Sequence, residues 1–321
     1  MRCLFILSFL LITPAVPSFA VADAPLRVQD LSVSNGTIST GNPSTLTYPW
    51  GPNDFTTALL RQGRVPFAQK ACFVNAVQML AGQAAEDFYG RMRSPRMTFT
   101  SHEHPELAII VMGVTPTDRI RRRYAFWGVA RMMNHLVWHN DFRNSTFQLN
   151  YRDRPVGQIY IGPVPTSLPE TAAKTAFVEP PSIKQLVPTA ISNETEMLSW
   201  QYEYFGHSLA MNEVLMGTVG ALVVAARPAP DNKVSYFVAG FSPYRAVHHW
   251  ASSPGRPPPF TYSMLIKSIQ ATAMHALDQM DFHELGVRVT NGVQEVGWGG
   301  YVRDPALNTA NYLLPLSSFR F

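Results

Sequence analysis

The 321-residue chain is poor in cysteine: Cys3 and Cys72 are the only two. Cys3 lies in the N-terminal apolar stretch, so a mature chain that has lost this stretch keeps Cys72 alone and can form no internal disulfide. A disulfide-stapled small-domain scaffold is excluded, and the hydrophobic core has to hold the fold. Charge is also sparse, at 15% Asp, Glu, Lys and Arg, while apolar residues make up 46%. That balance excludes wholesale disorder. The formal net charge of +4 comes from 26 basic and 22 acidic residues scattered along the chain, too mild a signal for nucleic acid or an anionic membrane as partner. Long apolar runs are missing as well. The best internal candidate, residues 217–226, is about half of what a bilayer needs, so no stable membrane anchor is expected.

The N-terminus reads MRCLFILSFLLITPAVPSFAVADA. A basic residue, an apolar stretch at 4–12 and small residues at Ser18-x-Ala20 and Ala20-x-Ala22 predict a secretory signal peptide over 1–22 and a secreted, extracellular protein. Three sequons follow, at Asn35, Asn144 and Asn193, and are read as glycosylation sites; Asn42 is disqualified by Pro43.

Self-comparison indicates an internal duplication. A shift of 140 places His135 on His275, Asp141 on Asp281, Phe142 on Phe282, Val156 on Val296 and Gly157 on Gly297. A shift of 127 places Gly113-Val-Thr115-Pro116 on Gly240-Phe-Ser242-Pro243. Each copy reads helix, strand, helix, hairpin. The helices are expected at 67–86 and 116–140 in the first copy, and at 211–227 and 260–280 in the second. The strands are expected at 107–113 and 234–240. Asn291-Gly292 between two alternating runs is the strongest hairpin signal in the chain. The expected fold class is α+β: two tandem α-β-α-β-β repeats related by duplication, mostly antiparallel, helices on one face, joined in one pseudo-symmetric sheet of ferredoxin-like kind. The expected organisation is an arm over 23–60, repeat 1 over 61–162, a Pro-rich linker over 163–195, repeat 2 over 196–303 and a tail over 304–321.

Several residue groups carry chemistry. His135 and His275 occupy the same place in both copies and are the candidate general bases, facing each other or lining mirrored pockets. His135 and His139 have the spacing of metal ligands on one helix face, but the metalloprotease Glu is missing and the second copy has Gln279, so no metal is expected. His102, Glu103, His104 and Glu106 read as a solvated loop. Ser242 is half of a nucleophile elbow and lacks its last Gly. Arg119-Ile-Arg121-Arg122-Arg123 resembles a processing site and reads as a basic first turn of a helix. Residues 244–260 look like a loop without counterpart in the first copy. Its His248, His249, Trp250 and Arg256 are the candidate recognition surface.

These observations point to an extracellular binding or interaction protein, with another protein or a glycan as partner and no cofactor. The alternative is a secreted enzyme on a small molecule or glycan that uses His135 or His275 as base.

Overall fold

The computed structural model describes residues 51–164, 198–254 and 258–304. All of them belong to one compact unit, Thr40–Phe321. The first half runs β1 (Phe55–Pro66), α1 (Gln69–Gln83), β2 (Arg96–Phe99), β3 (Leu107–Met112), α2 (Arg122–Trp138), β4 (Arg143–Tyr151), β5 (Arg154–Pro163). The second repeats that order: β6 (Leu198–Ser208), α3 (Met211–Ala225), β7 (Tyr236–Phe241), β8 (Tyr244–Ser252), α4 (Tyr262–Gln279), β9 (His283–Asn291), β10 (Gln294–Arg303). The fold is α+β, built by duplication.

The two halves form separate five-stranded sheets, in the order β1-β4-β5-β3-β2 and β6-β9-β10-β8-β7, with every neighbouring pair antiparallel. The element order is the ferredoxin-like β-α-β-β-α-β with one strand added, and the added strand, β5 or β10, takes the sheet centre. One continuous sheet across the halves, the sequence expectation, is not formed. Helices stand between the sheets instead: α1 packs on α3 and α4, and α2 packs on α3. This explains why α1 from Ala71 to Val77 and α3 from Val214 to Val223 are buried all round. A helix touched by a sheet on one side and by helices on the other has no solvent face to make polar.

Equivalent backbone contacts fix the correspondence. Phe67 N–H donates to Phe142 O, as Leu209 N–H does to Phe282 O. Met92 N–H donates to Ile120 O, as Val234 N–H does to Phe260 O. Ile161 opposite Ile109 matches Tyr301 opposite His248. The gapless shift of 140 therefore holds in the hairpins and long helices. The shift of 127 does not: the counterpart of β3 is β8, not β7. Residues 244–252 are thus a buried inner strand, and the loop reading of that stretch is corrected. The alternation Tyr244, Ala246, His248, Trp250 is a period-two pattern of buried residues with polar ones between. Two strands per half lie outside the expected set: β1 and β2 in the first, β6 and β8 in the second. β1 begins at Phe55, inside the stretch read as an arm.

Helix α2 starts at Arg122, not at Pro116. Backbone hydrogen bonds tie the stretch before it to the neighbouring loop, since Arg122 N–H donates to Gly90 O and Arg91 bridges Arg121. That contact holds Arg121 extended, so the helix cannot begin earlier. Helix α4 starts where Thr261 Oγ1 accepts from Met264 N–H at 3.3 Å. Both long helices end in a left-handed residue, Asn140 or Met280, and Asp141 N–H or Asp281 N–H closes the end onto Leu136 O or Ala276 O.

Candidate functional site

The duplication lets each half serve as a control for the other. Across the inner face of the second sheet one transverse row runs Tyr204 (β6), Leu285 (β9), Tyr301 (β10), His248 (β8), Ala239 (β7). The matching row of the first sheet is Gln62, Ser145, Ile161, Ile109, Phe99. At the buried centre two isoleucines are exchanged for Tyr301 and His248. The fold does not require polar groups there, because the first half does without them. In the neighbouring row Trp250 and Gly299 stand where Val111 and Ile159 stand. A side chain on Gly299 would meet both the His249 carbonyl oxygen and the Trp250 indole at 2.4 Å, so the indole takes part of the room the isoleucine fills in the first half.

His248 is fully buried. The Thr218 hydroxyl on α3 lies 2.9 Å from Val214 O and 3.1 Å from His248 Nε2. A hydroxyl has one proton; donated to the Val214 carbonyl, it leaves the oxygen to accept from His248 Nε2–H. Nδ1 then presents a buried lone pair with no hydrogen-bond partner. Burial pushes the imidazole pKa down to about 3, with His249 adding to the shift, so the ring is neutral at physiological pH. The Tyr301 ring lies 5.7 Å from the imidazole, and its buried hydroxyl is also without a partner. Burial raises its pKa, helped by Tyr204 and Asp281, and keeps the phenol protonated. Tyr204 Oη is a third buried polar atom without a partner, its pKa pushed up to about 12 by burial and then by Asp281.

The row reaches the β6 edge beside His275. That imidazole is half-buried, stacked on Tyr202 at 3.8 Å and 5°, with the Tyr204 ring at 5.7 Å. Desolvation lowers its pKa against the opposing pull of Asp278 and Asp281. Asp281 in turn lies 2.5 Å from His283 Nδ1, which lowers the carboxyl pKa. His275 and His248, candidates for different roles in the sequence, thus belong to one region linked through Tyr204 and Tyr301.

His135 is not part of it. Its ring packs edge-on against Phe147 of its own sheet at 5.2 Å and lies 4.4 Å from His139. Burial and then His139 lower its pKa. Its ring contacts, like those of His275, are made within its own half. Each follows its own helix onto its own sheet.

The remaining candidates sort by geometry. Trp250 is completely buried and offers no recognition surface. His249 points to the other face of the sheet, where its Nδ1 lies 3.3 Å from Tyr236 Oη. Arg256, Asn35 and Asn193 lie outside the described residues. Asn144 sits in β4, where Oδ1 accepts from Val65 N–H at 3.1 Å and the side chain also hydrogen-bonds Tyr160. Its counterpart Glu284 does the same work, accepting from His207 N–H and Arg303 N–H at 2.8 Å each. Of the loop acids, Glu103 accepts from Gln78 and Glu106 faces His104 at 3.3 Å. No group of three metal-ligating side chains occurs among the described residues. Ser242 sits exposed in the short β7–β8 turn with no helix after it. The signal that sequence reasoning missed was available: Tyr301 stands at the hairpin position that holds Ile161.

No family model matches the chain, and no curated protein does. A solved structure with some likeness is the tandem DUF26 ectodomain of the cysteine-rich receptor-like protein PDLP8 from Arabidopsis thaliana. It is 5% identical and covers 78% of this chain and 96% of its own, with a TM-score of 0.24. No helix among the described residues is long and apolar enough to cross a membrane.

Proposed function

We propose that this is a secreted binding protein in which the first half is scaffold and the second half is the recognition half. Its partner is an extracellular protein or a glycan. The observation that carries the assignment is the exchange at equivalent buried positions, Ile109 for His248 and Ile161 for Tyr301. Buried hydrogen-bonding atoms without partners cost stability, so a fold that can fill the same positions with isoleucine keeps them for another reason. Secretion is supported by the N-terminal pattern and the sequons. An enzyme is the weaker reading. Cys72 is buried in α1 with its pKa pushed up to about 12, the Thr218 hydroxyl is committed to the Val214 carbonyl, and His135 and His275 pack on different sheets.

The test is a binding screen of the secreted full chain against immobilised extracellular proteins and glycans. Hits are then measured on His275→Ala, Tyr202→Ala and His135→Ala. Expected is a loss of at least about tenfold for the second-half variants and none for His135→Ala. Loss confined to His135→Ala would overturn the assignment. His275→Ala with full turnover of an identified substrate would remove that residue from the enzyme reading.

A further inference from the structure

The centre of the second sheet has the makings of a specific site. His248 Nδ1 accepts only, because its Nε2–H is spent on Thr218. Tyr301 Oη can donate and accept. The two residues are direct cross-strand partners with their rings 5.7 Å apart on the same face. A hydroxyl group serves both at once, donating to Nδ1 and accepting from Oη. A carboxylate cannot donate to Nδ1, and an ammonium, donating to both atoms, would leave the Oη proton without an acceptor. Either would also bring a charge into the sheet interior, where His248 and Tyr301 are both neutral.

The approach is aromatic. Tyr204 Oη lies on the same transverse row, with Leu285 between it and Tyr301. The Tyr202–His275 stack stands at the half-exposed edge of that row. Flat apolar faces with a few fixed polar atoms behind them are how small-ligand sites combine affinity with orientation. The surrounding exchanges are coordinated. Ser268 on α4 takes the place of Gly128, where a side chain would meet Ile159 at 2.6 Å; in the second half that isoleucine is Gly299. Ser268 Oγ then accepts from Trp200 Nε1–H at 3.1 Å.

We propose that His248 and Tyr301 together hold a hydroxyl group of a small uncharged alcohol or polyol that enters past Tyr204 and His275. The proposal rests on the second half being the recognition half and adds the ligand class and the atoms that read it.

The experiment is ligand-observed NMR titration of the full chain. The neutral probes are glycerol, myo-inositol and glucose; the charged ones are glucuronate and glucosamine. Expected is binding of at least one neutral probe, about tenfold weaker or worse in Tyr301→Phe, which keeps the ring. Binding should be lost in the double variant His248→Ile with Tyr301→Ile, which copies the first half and should fold. Three results overturn the proposal: neutral binding that survives in the double variant, charged probes bound as tightly as neutral ones, or no neutral probe bound. If instead His275→Ala and Tyr202→Ala weaken a ligand that Tyr301→Phe does not, the recognition half stands and the buried hydroxyl site falls.

Discussion

His248 occupies in β8 the place that Ile109 occupies in β3: each lies opposite the strand partner, Tyr301 or Ile161, at the buried centre of its sheet. An imidazole there is tolerated only in its neutral form, and this makes acid stability measurable at a single residue. The folded pKa of about 3 lies below the ordinary 6.5. Between those values the unfolded chain binds a proton that the folded chain does not. Stability from this group is therefore full above pH 6.5 and falls as the pH drops towards 3, by about 1.4 kcal/mol per pH unit at most. His248→Ile should flatten that part of the pH profile in urea unfolding. An unchanged slope between pH 6 and 4 would show that the histidine is solvated.

Asn144 and Glu284 hold equivalent edges. Each side chain accepts backbone N–H groups where β1 or β6 departs from regular pairing, at the Gln62/Pro66 and Phe205/Ser208 shifts. Glu284→Ala leaves two donors without acceptors and should cost about 2–4 kcal/mol; Asn144→Ala should cost about 1–2 kcal/mol. Thermal unfolding decides, and losses under about 0.5 kcal/mol would show that the edges are held otherwise. Because Asn144 also bonds Tyr160, its sequon should be glycosylated at lower occupancy than an unencumbered one, which intact-mass spectrometry of the secreted chain measures.

The basic run at Arg119 to Arg123 should resist processing in the folded protein. Arg122 is 3% exposed, with its guanidinium on Glu86 and the Asp87 carbonyl, and Arg123 lies over the Tyr124 ring at 4.9 Å. A protease needs both in extended, accessible form. Incubation of the native chain with a dibasic-specific protease should give no cut between Arg121 and Tyr124, whereas urea should expose one.

Cys72 should be inert to iodoacetamide in native buffer and react on unfolding. Its thiol is buried, and burial raises its pKa to about 12, so thiolate is scarce at neutral pH. Stoichiometric alkylation of the folded chain would contradict its placement in the core.

Trp250 and Gly299 should be energetically coupled. Gly299→Ile drives a side chain into the indole and the His249 carbonyl and should cost about 2–3 kcal/mol, and Trp250→Val should cost about 3 kcal/mol through the cavity it leaves. The double variant restores the first half's pair, so its loss should be smaller than the sum by at least about 1 kcal/mol. Simple additivity would show that the two copies do not trade volume at these positions.

Local pattern accounts for what could be read without coordinates. The four helices are visible in apolar runs such as FVNAVQML, the hairpins in strict alternation around Asn291-Gly292, and the duplication in the unbroken spacing from His135 to Gly157. These signals arise within a stretch of about twenty residues, where backbone periodicity alone sets which side chains share a face. The strand at 244–252 escaped because its His248, His249 and Arg245 mimic a polar loop by composition while its period of two is that of a strand. The early start assigned to α2 failed because the contact that unwinds it comes from Arg91, far back in the chain.

Tertiary structure alone decided the rest. Whether two halves share one sheet or face each other across their helices depends on which surfaces bury more together, not on any local pattern. Partnership between residues such as Tyr301 and His248, or Tyr202 and His275, is fixed by strand order and by a helix laid across it. Neither leaves a trace in spacing along the chain. The sequence determined that each half could fold as helices on an antiparallel sheet. Only the packing of those elements determined that a histidine and a tyrosine would meet, uncharged and partly unsatisfied, at the centre of one sheet and not the other.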